Sequence, residues 1–241
     1  MNRWRALATW AFGPDDDATV GAAGWPASWA VKGWAGAFVL AGVMGAIAVG
    51  FGADADGSSA RLASQFGVWA GFVATAILAS RVFGTGSVRT DFGLGASAPV
   101  IRRSIAAGVV TQLALVPAIY VPISLMGVDL DVSGAAESLL TELTAAERLI
   151  VVVGVIVAAP ITEELLFRGI LLRGLARSMS PIAAIWLSAV LFAATHFQLV
   201  QFPGLVVVGL VLAWLAVRTG GLAAPIWAHA GFNATTVVIL W

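Results

Sequence analysis

The chain has 241 residues, 60% of them hydrophobic and 11% charged, with a mean hydropathy of +0.95. A soluble domain of this length carries about a quarter charged residues, so the apolar surplus needs lipid to cover it. The 13 basic and 13 acidic residues cancel, which leaves no basic footprint for nucleic acid. The lack of cysteine excludes disulfides, thiolate nucleophiles, iron–sulfur clusters and cysteine-ligated zinc.

Segment 1–32 is expected to be cytoplasmic and not a cleaved leader. Arg3 and Arg5 precede a brief apolar stretch that Asp15, Asp16 and Asp17 interrupt as a hydrated turn. From Gly33 onward, seven stretches are long and apolar enough to cross or nearly cross a bilayer: 33–53, 67–84, 104–127, 148–167, 182–198, 204–218 and 223–241. The fold class is therefore an all-α, polytopic transmembrane helical bundle of about seven spans, with six to eight compatible. The fifth and sixth are short, and one of them is expected to be broken, tilted or re-entrant. Gly and Ala fill the spans, as in GWAGAFVLAGVMGAIAVGFGA over 33–53. Small residues let helices approach closely, although for any single glycine compositional bias is the simpler reading.

Basic residues set the orientation. With the N-terminus in the cytoplasm, Arg3, Arg5, Lys32, Arg81, Arg89, Arg102, Arg103, Arg168, Arg173, Arg177 and Arg218 lie inside, and Arg61 and Arg148 outside. The outer loops then carry Asp54, Asp56, Asp129, Asp131, Glu137 and Glu142, and Trp241 ends outside. The first three spans (33–147) hold little but apolar side chains and read as scaffold or substrate groove. Segment 148–241 holds the carboxylates and imidazoles and reads as the catalytic core.

The first charged element is APITEELLFRGILLRGLARS, 159–178. Pro160 is expected to end or kink the helix before it, and Thr162 to cap a new one. Glu164 and Arg168 are four apart and share a helix face in the favourable order; Glu163 points about 100° away. Arg168 can hold Glu164 and leave Glu163 facing a cavity, while Arg173 and Arg177 read as anchors at the inner surface. The second element, SAVLFAATHFQLVQF at 188–202, brings His196, with Phe192 one turn earlier to wall the imidazole. Gln198 and Gln201 read as loop or interfacial residues. In the third, GGLAAPIWAHAGFNATTVVIL at 220–240, His229 and Asn233 share a face, Pro225 sits where a helix start tolerates proline, and Trp227 suits an interface.

Together these groups suit hydrolysis by water. A carboxylate with an imidazole deprotonates water, and an imidazole with a carboxamide stabilises an oxyanion. Glu163, His196 and His229 could instead hold zinc with one open position; ligand type leaves both readings open. No H-E-x-x-H or G-x-S-x-G motif is present.

The set EExxxR at 163–168, FxxxH at 192–196 and HxxxN at 229–233 resembles the CPBP family, the CAAX protease and bacteriocin-processing group also known as Abi or type II CAAX-prenyl-endopeptidase-like. The resemblance runs from about 145 to 240. It implies an intramembrane endopeptidase in which Glu163 and His196 activate water, His229 and Asn233 form the oxyanion site, and Glu164 and Arg168 support the architecture. It implies as substrate a membrane-associated or prenylated peptide or protein, and as partner the lipid bilayer. No cofactor is required in the metal-free version, and zinc is in the alternative. Other readings are a non-enzymatic immunity or interaction protein, and a proton-coupled transporter with Glu163 as carrier. A prokaryotic cell membrane is the expected location. With straight spans of these lengths, His196 falls near the outer end of its helix while Glu163 and His229 approach the inner one.

Overall fold

A computed structural model describes residues 24–127, 130 and 143–240. Arg3, Arg5, Asp15–Asp17, Asp129, Asp131, Glu137, Glu142 and Trp241 lie outside the described residues. The described chain is helical: α1 Ser28–Gly50, α2 Ser58–Phe83, α3 Ala98–Leu125, α4 Ala145–Leu175, α5 Pro181–Ala194, α6 Phe202–Thr219 and α7 Ala223–Leu240, with a single turn at Val88–Asp91 between α2 and α3. Six of these are long and apolar enough to cross a membrane. Apolar side chains such as Val39, Leu78, Leu113 and Val121 point outward and exposed. Leaving them in water would be costly, and a bilayer removes that cost. The molecule is an integral membrane protein.

Several boundaries differ from expectation, among them the start of α2 at Ser58, expected at 67, and those of α4 and α5 bear on the site. Helix α4 runs 31 residues to Leu175, past the expected end at 167. Pro160 does not end it: a π-type turn at Gly154–Ala158 precedes the proline and the helix continues through Ala159–Glu164. Thr162 therefore caps nothing, and its hydroxyl donates back to Ala158 O at 2.9 Å. The real start is a capping box, in which Thr144 Oγ accepts from Glu147 N–H while the Glu147 carboxylate accepts from Thr144 N–H. Helix α5 is 14 residues long, about 21 Å at 1.5 Å per residue, against a hydrocarbon core of about 30 Å. It starts at Ser180, which accepts from Ala183 N–H, with Pro181 in the first turn.

α4 is central and packs against α1, α2, α5, α6 and α7. Around it α1 pairs with α2, α3 with α7, and α5 with α6. Some glycines are required by these pairings. A Cβ on Gly71 would lie 2.5 Å from Ala37 Cα in the α1–α2 seam, and one on Gly108 would run into Ala228 O in the α3–α7 seam. Gly36, Gly42 and Gly50 of α1 would meet nothing, so the compositional reading holds for them and fails at the seams.

Arg173 is not a surface anchor. It is buried, donates to Asp91 O at 2.5 Å and lies over the Trp25 and Phe92 rings. The Asp91 carboxylate accepts from Ser80 Oγ at 2.5 Å and from Thr85 N and Oγ1 at 3.0 and 2.9 Å. Burial pushes this carboxyl up, but the hydrogen bonds from Ser80 and Thr85 outweigh burial and hold it below its ordinary 3.8. A group depressed on folding stabilises the fold fully above its unfolded value, and that stability drains as pH falls through the folded one. Thermal unfolding in detergent should show a drop in Tm below about pH 4 that is smaller in Asp91→Asn; equal acid sensitivity of the two proteins would refute this role.

Candidate active site

Glu163, Glu164 and Arg168 are on α4, His196 follows the end of α5, and His229 and Asn233 are on α7. The 3.6-residue period sends the two adjacent glutamates different ways. Glu164 is fully buried and its Oε1 accepts from Arg168 Nη1 at 2.8 Å, the intrahelical pair the spacing predicted. The same Oε1 is 3.0 Å from His229 Nδ1. Arg168 Nη2 donates to Gly209 O of α6 at 3.1 Å, and its guanidinium carbon lies 4.3 Å from the Phe192 ring centroid. One buried cluster thus ties α4 to α5, α6 and α7.

Glu163 turns into a cavity of about 530 Å³ whose lining includes His196, His229 and Asn233. Its Oε2 is 3.9 Å from His229 Nε2, a gap in which one water can hydrogen-bond to both at about 2.8 Å. Carboxylates and carbonyls accept, so the contact to Glu164 puts a proton on His229 Nδ1 and turns Nε2 to Glu163. His196 Nδ1 is 2.8 Å from Phe192 O, so this ring carries its proton on Nδ1 and keeps a lone pair on Nε2 for taking a proton.

The expected mismatch in depth has a structural resolution. Glu163 lies 18 residues after the start of α4 and 12 before its end, near mid-helix. His196, just past the end of α5, lines the same cavity as Glu163. Gln198 and Gln201 occupy the loop, as expected, and also line the cavity. Asn233 does not point at an empty oxyanion position with both amide protons: Nδ2 donates to Val155 O of α4 at 2.8 Å.

Two features extend the sequence reading. Phe192, expected to wall His196, has its ring centroid 4.8 Å from His196, 5.9 Å from His229 and 5.3 Å from Phe167, besides holding Arg168. The second is α2, which contributes Ser58, Arg61, Gln65 and Trp69 to the cavity. Arg61, Gln65 and Trp69 recur every four residues, so they share one polar-tipped face in an apolar helix; that spacing was the available signal.

Among the described residues, no three His, Asp or Glu side chains come together in an arrangement that could hold a metal ion. As placed, Glu163, His196 and His229 do not form such a group.

The family model described as Type II CAAX prenyl endopeptidase Rce1-like matches residues 145–235. A relative from Escherichia coli described as an uncharacterized 24.3 kDa protein is 32% identical over 154 residues, covering 59% of this chain and 68% of the relative. No solved structure matches the chain.

Proposed function

Because the chain belongs, through residues 145–235, to the Rce1-like CAAX-protease (CPBP) family, we propose that it is an intramembrane endopeptidase that cleaves a membrane-associated peptide or protein with an activated water. The observation that carries this reading is the unequal glutamate pair: Glu164 buried in an ion pair with Arg168, and Glu163 turned into a cavity 3.9 Å from an imidazole nitrogen. A transporter would need a polar path through the bundle, and an interaction protein would need no such pairing.

In the proposed reaction a water in the cavity donates one proton to Glu163, with His196 Nε2 as the partner base. Its oxygen bonds to the peptide carbonyl carbon. The charge that develops on the carbonyl oxygen is met by the His229 ring and by the Asn233 N–H not used on Val155. The C–N bond then breaks as the proton passes from Glu163 to the leaving amine. Glu164 holds His229 through Nδ1 and is itself held by Arg168.

The test is cleavage of fluorogenic peptides, with and without a prenyl anchor, by the purified full chain in liposomes. Wild-type cleavage that disappears in Glu163→Ala, His196→Ala and His229→Ala is the expected result, and variants that all cut normally would refute it. The side of entry is part of the proposal. Ser58, Arg61, Leu143, Gln198 and Gln201 line the cavity at the end of the bundle where α2, α4 and α6 begin. With the N-terminus in the cytoplasm, that end faces outward. The chain has no native cysteine, so Gln198→Cys should react with an impermeant maleimide added outside intact cells. Labelling only after permeabilisation would reverse the orientation.

A further inference from the structure

Helix α4 changes its hydrogen-bond register just before the site. Ala159 N–H reaches five residues back, to Gly154 O, in place of four. In that register the next amide, at position 160, would serve the Val155 carbonyl. Position 160 is proline, which has no N–H. An unpaired carbonyl away from water is costly, and this part-buried one is met from another helix: Asn233 Nδ2 donates to Val155 O at 2.8 Å. A carbonyl oxygen can only accept, so the bond fixes which end of the carboxamide faces α4. That bond uses one proton of Nδ2, and Asn233 lines one cavity together with Val155, Ala159 and Glu163.

We propose that Pro160 is a positioning residue for Asn233. By withholding the amide that would complete the five-residue register, it keeps the Val155 carbonyl open as an external acceptor, and that acceptor aims the carboxamide. The interruption also lies three residues before Glu163 on the same helix, so one backbone irregularity sets the relation between the proposed base and the proposed oxyanion donor. Interrupted helical registers of this kind recur at functional sites. The consequence for catalysis rests on the endopeptidase reading; the geometry does not.

The sequence offers a clean probe, because Asn2 and Asn233 are its only asparagines. In full-length protein carrying 15N-asparagine and 13C-carbonyl valine, one side-chain amide proton of Asn233 should exchange slowly and show a through-hydrogen-bond coupling to a valine carbonyl. In Pro160→Ala the backbone amide gained at position 160 takes that carbonyl. The coupling should vanish and exchange should speed up about 10-fold or more. Because the cavity wall is otherwise unchanged, kcat should fall about 10- to 100-fold with KM within about twofold. An Asn233 amide with the same coupling and protection in both proteins, or an unchanged kcat in Pro160→Ala, would overturn the proposal. Should that variant not fold, the wild-type spectrum decides: an Asn233 amide that exchanges as fast as a free asparagine side chain, with no valine coupling, overturns it. Coupling that responds to Pro160→Ala in a protein that cleaves no peptide would sink the endopeptidase reading and leave the positioning role intact; cleavage without the coupling would do the reverse.

Discussion

Glu163→Gln is expected to cut peptide cleavage by about 10²- to 10⁴-fold, the range for loss of a general base, with no loss of folded protein. Glutamine matches glutamate in size but cannot take a proton from water. The fold should tolerate the change because Glu163 is outside the buried ion pair: Arg168 Nη1 is bonded to Glu164, not to Glu163. The Glu163 side chain keeps 18% of its surface exposed, so the neutral amide can stay solvated in the cavity. The contact with His229 Nε2 at 3.9 Å is too long to be a structural hydrogen bond. Tm of Glu163→Gln in detergent should therefore stay close to that of wild type while initial cleavage rates collapse. A variant that cleaves at the wild-type rate would remove Glu163 from the chemistry.

Arg168→Ala should have the opposite profile, with the fold lost first. Its guanidinium is fully buried, bonds to Glu164 Oε1 and Gly209 O, and packs on Phe192. Removal strands a carboxylate in a low-dielectric interior and leaves a carbonyl of α6 without that donor. Breaking a buried pair in this way costs about 3–5 kcal/mol, a large part of the total stability of a typical domain. Arg168→Lys should not restore the wild type, since one ammonium on a flexible stem cannot reproduce the planar two-way bonding. Adding Glu164→Gln to Arg168→Ala should recover part of the loss, because it removes the stranded charge. Urea or thermal unfolding in a fixed detergent measures all three. An Arg168→Ala protein as stable as wild type would mean that the cluster does not hold the four helices together.

Much of the site was legible because its information is local. Glu164 and Arg168 pair across one helical turn, and His229 and Asn233 share a face, for reasons of helical period alone. The membrane class follows from composition, which is independent of topology. Thr162 was misread as a helix cap because Pro160 ordinarily ends or kinks a helix. Here a π-type turn before it and a carboxamide from α7 absorb the missing amide, and no local pattern contains that partner. Arg173 was misread for a similar reason: a cation near a span end suggests a surface, and only packing supplies Trp25, Phe92 and the Asp91 carbonyl around it.

The sequence by itself determined a lipid-bound helical bundle, the chemical identity of the candidate groups and the unequal placement of Glu163 and Glu164. Each depends on residue type or on spacing within one helix. Only the tertiary structure decided that Phe192 links both imidazoles to Arg168, that α2 walls the cavity, and that His196, just past the short α5, lines the same cavity as Glu163. Those relations depend on where separate helices end and how closely their backbones approach. Such distances are set by packing across the bundle, which the order of residues along one helix does not encode.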